Sequence, residues 1–143
     1  MTSSHYTRAV LGAAVSFGLA SAASAETPAE FFKGKTVKVI VGFSPGGGYD
    51  AYGRLIARHM GKQIDGKPTV IVQNMPGASG LRASNYLYNV APKDGLTIGL
   101  VNNGNPFAAL YGMTQAQFDP VKFNWLGSPT KERSEEHTSE LQS

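Results

Sequence analysis

Short β-branched apolar runs alternate with longer amphipathic ones along this chain. The first run, Thr36 to Gly42, is bounded by glycines and reads as a buried strand. Thr69 to Gln73 and Thr97 to Val101 repeat the pattern and predict two more strands. Between the first two, Asp50 to about Ile64 sets Tyr52, Ile56 and Met60 at i+4 spacing with Leu55 beside them, which predicts an amphipathic helix. Asp50 falls where an N-cap belongs, and a carboxylate there satisfies orphan backbone N–H groups. Leu81 to Val90 predicts a second helix that buries Leu87 and Val90, and Phe107 to Tyr111 a short third one. Lys122 to Gly127 reads as one more strand, and Trp125, Tyr52, Tyr86, Tyr88 and Tyr111 as core aromatics. Strands alternating with helices predict an α/β fold, a parallel sheet with flanking helices and right-handed crossovers.

The punctuation between these segments carries the candidate chemistry. "DGKP" (Asp65 to Pro68) and "APKDG" (Ala91 to Gly95) are turns that stop helices. Each strand runs instead into a glycine-rich loop: "FSPGGGYD", "NMPGASG" and "NNGNP". Pro76-Gly77 in the second suits a type II turn. In a parallel sheet all three loops lie beyond the carboxyl ends of the strands, where open α/β sheets bind ligands. They offer bare backbone, the hydroxyls of Ser44 and Ser79, and the amides of Asn74, Asn102, Asn103 and Asn105, with no Lys or Arg. Backbone N–H groups, helped by the N-termini of the following helices, then form a neutral cradle for an anion. The candidate ligand-binding residues are Ser44, Gly46, Gly47, Gly48, Asp50, Asn74, Gly77, Ala78, Ser79, Gly80, Asn102 and Asn103, with Tyr49 as an aromatic wall among the glycines.

Length and composition narrow the setting. A chain of 143 residues holds one domain at most. Its start has a weakly basic segment with His5 and Arg8, an apolar run from Ala9 to Ala20 and a small-x-small pattern at Ala23-Ser24-Ala25. This is the pattern of a secretory signal peptide over residues 1–25, and the apolar run is shorter than the roughly 20 residues of a spanning helix. Glu26 is then the expected start of an exported chain. At the other end "RSEEHTSELQS", Arg133 to Ser143, resembles a translated frame of a common sequencing adapter. We expect that segment to be disordered and the natural protein to continue beyond about Glu132. The formal net charge of +3 comes from scattered basic residues, which suits a small anion and lacks the basic run of a nucleic-acid binder. There is no cysteine, so disulfides and thiolate metal sites are excluded. His59, on a helix between Arg58 and Met60, reads as a surface or packing residue. Nothing calls for a metal or a cofactor.

Three motif matches fail on their chemistry. "GFSPG", Gly42 to Gly46, fits the G-x-S-x-G nucleophile elbow, but the residue that must donate its N–H to an oxyanion is Pro45, which has none. Gly46-x-Gly48-x-x-Ala51 fits a relaxed dinucleotide fingerprint, yet Gln73 and Asn74 stand where an acidic ribose partner is needed. No Gly-Lys-Ser/Thr follows the glycines, so a phosphate loop of the Walker type is excluded.

"FSPGGGYDAYGRLIAR", "NMPGASG" and "APKDG" together resemble the N-terminal part of the periplasmic substrate-binding proteins of tripartite tricarboxylate transporters. The matching positions are Phe43, Pro45, Gly46, Gly47, Asp50 and Arg54 in the first motif. Asn74, Pro76, Gly77, Ala78 and Gly80 form the second, and Pro92, Asp94 and Gly95 the third. The resemblance implies a two-lobe periplasmic-binding-protein clamshell, the Venus flytrap fold, of which residues 26–132 are an incomplete first lobe. It implies a monomer in the periplasm, without catalysis, that captures a small carboxylate and delivers it to membrane permease subunits. The first two loops would contact the ligand carboxylate, partly through bridging waters. Tyr49 stands where Thr is common in that family, which implies a differently shaped pocket. The competing expectation is an exported α/β enzyme using the same loops for a phosphate or acyl substrate. It needs a general base or nucleophile at the cleft, and Asp50, read as a helix cap, is the one titratable side chain in the loops and their caps.

Overall fold

Strand β1 (Thr36–Val41) runs through the middle of a three-stranded sheet, with β2 (Thr69–Asn74) on one side and β3 (Thr97–Leu100) on the other. Both pairings are parallel, Thr36 opposite Thr69 and Lys38 opposite Thr97. The structure is a computed structural model that describes residues 26–130. The expected signal peptide and the expected adapter-derived tail lie outside the described residues.

The strands form where β-branched residues cluster, and β1 is buried because it is central: Val37, Val39, Ile40 and Val41 are almost wholly covered. Helix α1 (Pro28–Phe32) precedes it and starts in a capping box: the Thr27 hydroxyl accepts from the Glu30 N–H, and the Glu30 carboxylate accepts from the Thr27 N–H at 2.9 Å. Helix α2 (Gly48–Gln63) connects β1 to β2, and helix α3 (Leu81–Asn89) connects β2 to β3. With order β2-β1-β3 and right-handed crossovers, the two connections run in opposite directions and cover opposite faces. The side chains agree. A Cβ on Gly53 of α2 would meet Val41, Leu100 and Val72, whereas Gly42 and Gly99 face Ala83 and Leu87 of α3. This is a parallel sheet with flanking helices, as the alternating pattern predicts.

Helix α2 sits close to the sheet through small residues. A Cβ at Gly53 would lie 2.7 Å from Val41 Cγ2, and one at Gly61 would lie 2.7 Å from the Pro68 carbonyl oxygen. Gly53, Ala57 and Gly61 therefore form the seam at i, i+4 and i+8, while Tyr52 and Leu55 are exposed. The expected apolar face is rotated, because close approach of helix and sheet selects the smallest residues there rather than the most apolar.

Other expectations need correcting. The buried residues of α3 are Leu81, Ala83 and Ser84, and Val90 is 69% exposed at its end. Leu87 is half-buried and packs on Gly99. Phe107 to Tyr111 is not an α-helix; a 3₁₀ turn, Asn105–Phe107, leads into a series of turns. Lys122 to Gly127 is not a strand: a 3₁₀ turn, Pro120–Lys122, is followed by extended chain without sheet pairing. Tyr52, Tyr111 and Trp125 are exposed rather than core. Trp125 joins Phe123, Phe118 and Tyr88 in an aromatic cluster outside the sheet, with ring centroids 5.4–5.7 Å apart.

Candidate functional site

The three glycine-rich loops follow the carboxyl ends of β1, β2 and β3 and so share one edge of the sheet. The connection after β1 leaves toward the face covered by α2. The chain after β3 turns to the opposite face, where Asn85 and Asn89 of α3 donate to the carbonyls of Gln115 and Gln117. In a sheet of order 2-1-3 this divergence opens the crevice at the β1/β3 switch point.

Asp50 organises the first loop, and not as an N-cap. The cap is Gly47, Gly48 and Tyr49 are the first helical residues, and Asp50 is the third. Asp50 is 3% exposed, and its carboxylate reaches backward. One oxygen accepts the Gly46 N–H and the Arg54 Nε–H, each at 2.9 Å; the other accepts Asn74 Nδ2–H at 2.9 Å. Asn74 also donates to the Phe43 carbonyl at 2.9 Å and accepts Arg54 Nη2–H at 3.4 Å. Arg54, Gly46 and Asn74, in that order of effect, hold the Asp50 carboxyl well below the usual carboxylate range, and Asp50 raises the Arg54 guanidinium in turn. Both Asp50 and Asn74 are thus spent on fixing the loop: one ionised carboxylate and one amide lock the end of β2, the start of α2 and the turn that joins β1 to α2.

Tyr49 is half-buried and stacks on Phe43, ring centroids 4.2 Å apart and planes 17° from parallel. The pair closes the base of the glycine turn, so Tyr49 packs on its own loop. Of the three glycines, Gly46 has φ 86° and needs the left-handed region. Gly47 and Gly48 do not. A Cβ at Gly48 would meet nothing within 4 Å, and one at Gly47 only the Ser44 carbonyl at an ordinary 3.7 Å. Glycine at neither position answers a packing demand of the fold, and at Gly48, inside the helix, it costs helix stability.

The second loop is strained. Gly77 has φ 142° and ψ 138°, which is not the type II turn expected, and Ala78 and Ser79 follow with φ 46° and 52°. Two successive non-glycine residues in the left-handed region cost roughly 1–2 kcal/mol each, and such strain gathers at ligand sites. The Arg82 side chain folds over Gly77, with its guanidinium 3.5 Å from the Pro76 carbonyl.

Gly80 is where the loops meet. A Cβ on Gly42 would lie 3.1 Å from Gly80 Cα, and one on Gly80 would lie 3.3 Å from Asn105 Nδ2 and 3.4 Å from Asn102 N. Asn105 Nδ2–H donates at 2.8 Å to the buried Ser84 hydroxyl, which donates to the Gly80 carbonyl at 3.3 Å. Asn102 Oδ1 accepts the Gly104 N–H at 2.7 Å and shapes the third loop. Asn103 is exposed on it, as Ser44 is on the first.

The expected residues are therefore brought together at one edge, in two roles. Asp50, Asn74, Gly80 and Asn102 hold the edge, while Gly47 and Gly48 present backbone to solvent. The N-caps of α2 and α3 are the glycines Gly47 and Gly80, without side-chain cap bonds. The first N–H groups of α2 therefore have no intrahelical or side-chain capping partner, whereas those of Leu81 and Arg82 in α3 donate to the carbonyls of Ala78 and Gly77. The loop edge is less neutral than the loop sequences predict, since Arg54 enters from the second turn of α2 and Arg82 from the first turn of α3. Arg54 was legible as the i+4 partner of Asp50; Ser84 gave no signal, because its only partners are a carbonyl and an amide 21 residues away. Among the described residues no group of three His, Cys, Asp or Glu could hold a metal ion.

These features define one α/β lobe that gathers three glycine-rich loops at the carboxyl edge of a parallel sheet, consistent with a partial lobe of the periplasmic-binding-protein type. The chain is similar to the UPF0065 protein in gbd 5'region of Cupriavidus necator, 34% identical over 113 residues that make up 79% of this chain. A stretch of that length within 143 residues necessarily takes in all three strand-and-loop units. The chain spans 33% of the length of that relative. No family model matches the chain.

Proposed function

We propose that this chain is the N-terminal part of an extracytoplasmic solute-binding protein of the tripartite tricarboxylate transporter type. Its loop edge receives one carboxylate of a small ligand, and the complete protein passes that ligand to a membrane permease in the periplasm. The observation that carries the reading is the pair Gly47 and Gly48. Nothing in the fold requires glycine there, and the residues leave uncapped N–H groups at the start of a 16-residue helix, where an anion is favoured. Support also comes from the three motifs in order and from the likeness to a UPF0065 protein. Ligand contacts made only in the shut clamshell would drive closure. The enzyme reading loses its one base on the loop edge, because Asp50 is held ionised and enclosed by three donors.

The test is thermal melting of the full-length protein, expressed from its complete reading frame, against a panel of small mono-, di- and tricarboxylates. A rise in melting temperature with one of them, reduced in Gly48→Ala at the same ligand concentration, is expected. Turnover of a phosphate or acyl ester with no response to any carboxylate would overturn the proposal.

A further inference from the structure

A second surface runs along the outer edge of β2, starting at Arg54 beside the first loop and extending away from it. Two shallow grooves of about 530 and 300 Å³ run between α2 and this edge. They are lined by the basic side chains of Arg54, Arg58, Lys62 and Lys67 and floored by Val70 and Val72, with no acidic residue in either lining. Arg54, Arg58 and Lys62 stand at i, i+4 and i+8 and so form one stripe along α2. Arg54 is committed to Asp50, but Arg58, Lys62 and Lys67 have no ion-pair partner among the described residues.

Among the described residues, the strand beside the stripe has an unused hydrogen-bonding edge. Thr69 and Met75 donate their N–H groups inward, to the carbonyls of Lys35 and Val41. Strand periodicity then turns Thr69, Ile71 and Gln73 toward β1 and leaves the N–H and C=O groups of Val70, Val72 and Asn74 facing outward. Within the sheet β2 pairs with β1 alone.

We propose that this edge docks an extended acidic segment of a partner protein, which adds to β2 as a further strand. Main-chain bonds to Val70 and Val72 would supply affinity, and alternate Asp or Glu side chains would meet Arg58, Lys62 and Lys67 across the grooves. The stripe from Arg54 to Lys62 is about 12 Å long, matched by roughly four extended residues at about 3.3 Å each, so two acidic side chains on one face suffice. A second copy of this chain is disfavoured there, because edge-to-edge pairing would bring two basic stripes together. A bilayer surface has no backbone groups to pair with the strand edge. The inference is independent of what the loops bind.

The test uses the full-length protein and a fluorescent peptide of alternating Glu and Val, with a Lys-Val peptide as control. The Glu-Val peptide is expected to bind at low salt, to slow hydrogen exchange at the Val70 and Val72 amides, and to lose about tenfold or more in affinity in Arg58→Glu/Lys62→Glu. Far-UV circular dichroism and melting of that variant confirm its fold, since both residues are exposed. Equal binding by the variant, no gain of protection at Val70 and Val72, or amides already fully protected in the free protein would each overturn the proposal. So would binding to phosphatidylglycerol vesicles in place of the peptide.

Discussion

Asn74, the last residue of β2, donates one amide hydrogen bond to Asp50 of α2 and another to the carbonyl of Phe43, both at 2.9 Å. Through one side chain, the end of the second strand fixes the turn after the first. The geometry of the glycine loop is thus set by a residue 24 positions from Asp50, and the Asp50 charge is satisfied before any ligand arrives.

From this network we predict that Asp50→Ala and Asp50→Asn both lower the melting temperature of the full-length protein in the absence of ligand. Sequence reasoning alone predicts near-neutrality for Asn, which caps helices as well as Asp. Asp50 instead accepts three donors, from Gly46, Arg54 and Asn74. An amide has one acceptor oxygen and brings two donor hydrogens of its own, so donors would face donors. Differential scanning calorimetry checks this; an unchanged melting temperature for Asp50→Asn would refute the network's structural role.

The same network predicts an acid-labile fold. The folded-state pKa of Asp50 is depressed below its ordinary 3.8, mainly by the Arg54 hydrogen bond and then by Gly46 and Asn74. Its contribution is therefore fully present above about pH 4. It is lost as pH falls from there through the folded value. Urea midpoints measured downward from neutral pH should be flat to about pH 4 and then decline, with a shallower decline in Asp50→Asn. Identical acid limbs in the two proteins would remove Asp50 from the account.

Much of the fold is written locally, and the exceptions share a cause. The three strands were legible because Val37 to Val41, Thr69 to Val72 and Thr97 to Leu100 are β-branched or apolar runs ending in glycine or asparagine loops. The start of α2 was misplaced because Asp50 looks like a cap from its neighbours, whereas its partners Gly46 and Asn74 draw it into the first turn. The buried face of α2 was misread because Gly53, Ala57 and Gly61 score as weakly apolar, yet they set how near helix and sheet can lie. Ser84 and Asn105 were invisible as a pair, since nothing within either local segment encodes the other. At the candidate site, the gathering of loops on one edge followed from topology. The division between residues that hold the edge and residues that face solvent rests on contacts between distant segments, such as Asn74 with Asp50 and Asn105 with Ser84.

That division yields opposite expectations for two glycines. Gly80→Ala places a Cβ against Asn105 and Asn102 at a φ of 87°, so it should cost stability, on the order of 1 kcal/mol or more. Gly48→Ala meets open space in the first turn of α2 and should leave stability equal or raise it by up to about 1 kcal/mol. If the loop receives a carboxylate, the same Gly48→Ala should weaken binding by about tenfold. Paired calorimetry and ligand titration separate the two effects; unaltered affinity would take Gly48 out of the site.

Ser84→Ala tests the join between the second and third loops. Ser84 is buried on α3 and is the hydrogen-bond acceptor for the buried Asn105 amide. Removing the hydroxyl leaves that donor without its partner, at a cost of about 1–3 kcal/mol. Asn105→Ala in the same background should add little further loss, because the shared bond is already gone. A double-mutant cycle in urea measures the coupling. Strict additivity would mean that the bond contributes nothing to holding Asn105 against Gly80.

The last prediction concerns residues 26–132 expressed by themselves. They supply three strands, and within that sheet β2 and β3 each pair on one side only. An open strand edge is a template for unwanted pairing. Exposed apolar side chains add to the hazard: Leu110, Val121 and Leu126 are 80% exposed or more, and Trp125 is 52% exposed beside them in sequence. Among the described residues, the fully buried side chains larger than serine are Ile40, Val37 and Val41, all on the one central strand. So small a core offsets little of the chain entropy lost on folding. We therefore expect this fragment to be marginally stable, to aggregate readily and to show no rise in melting temperature with any small carboxylate. Adding residues 133–143 should change neither solubility nor melting. Light scattering and thermal melts of the two versions decide the matter. A monomeric, cooperatively melting fragment that binds a dicarboxylate would show that one partial lobe is enough, and would move the whole binding site onto the loops described above.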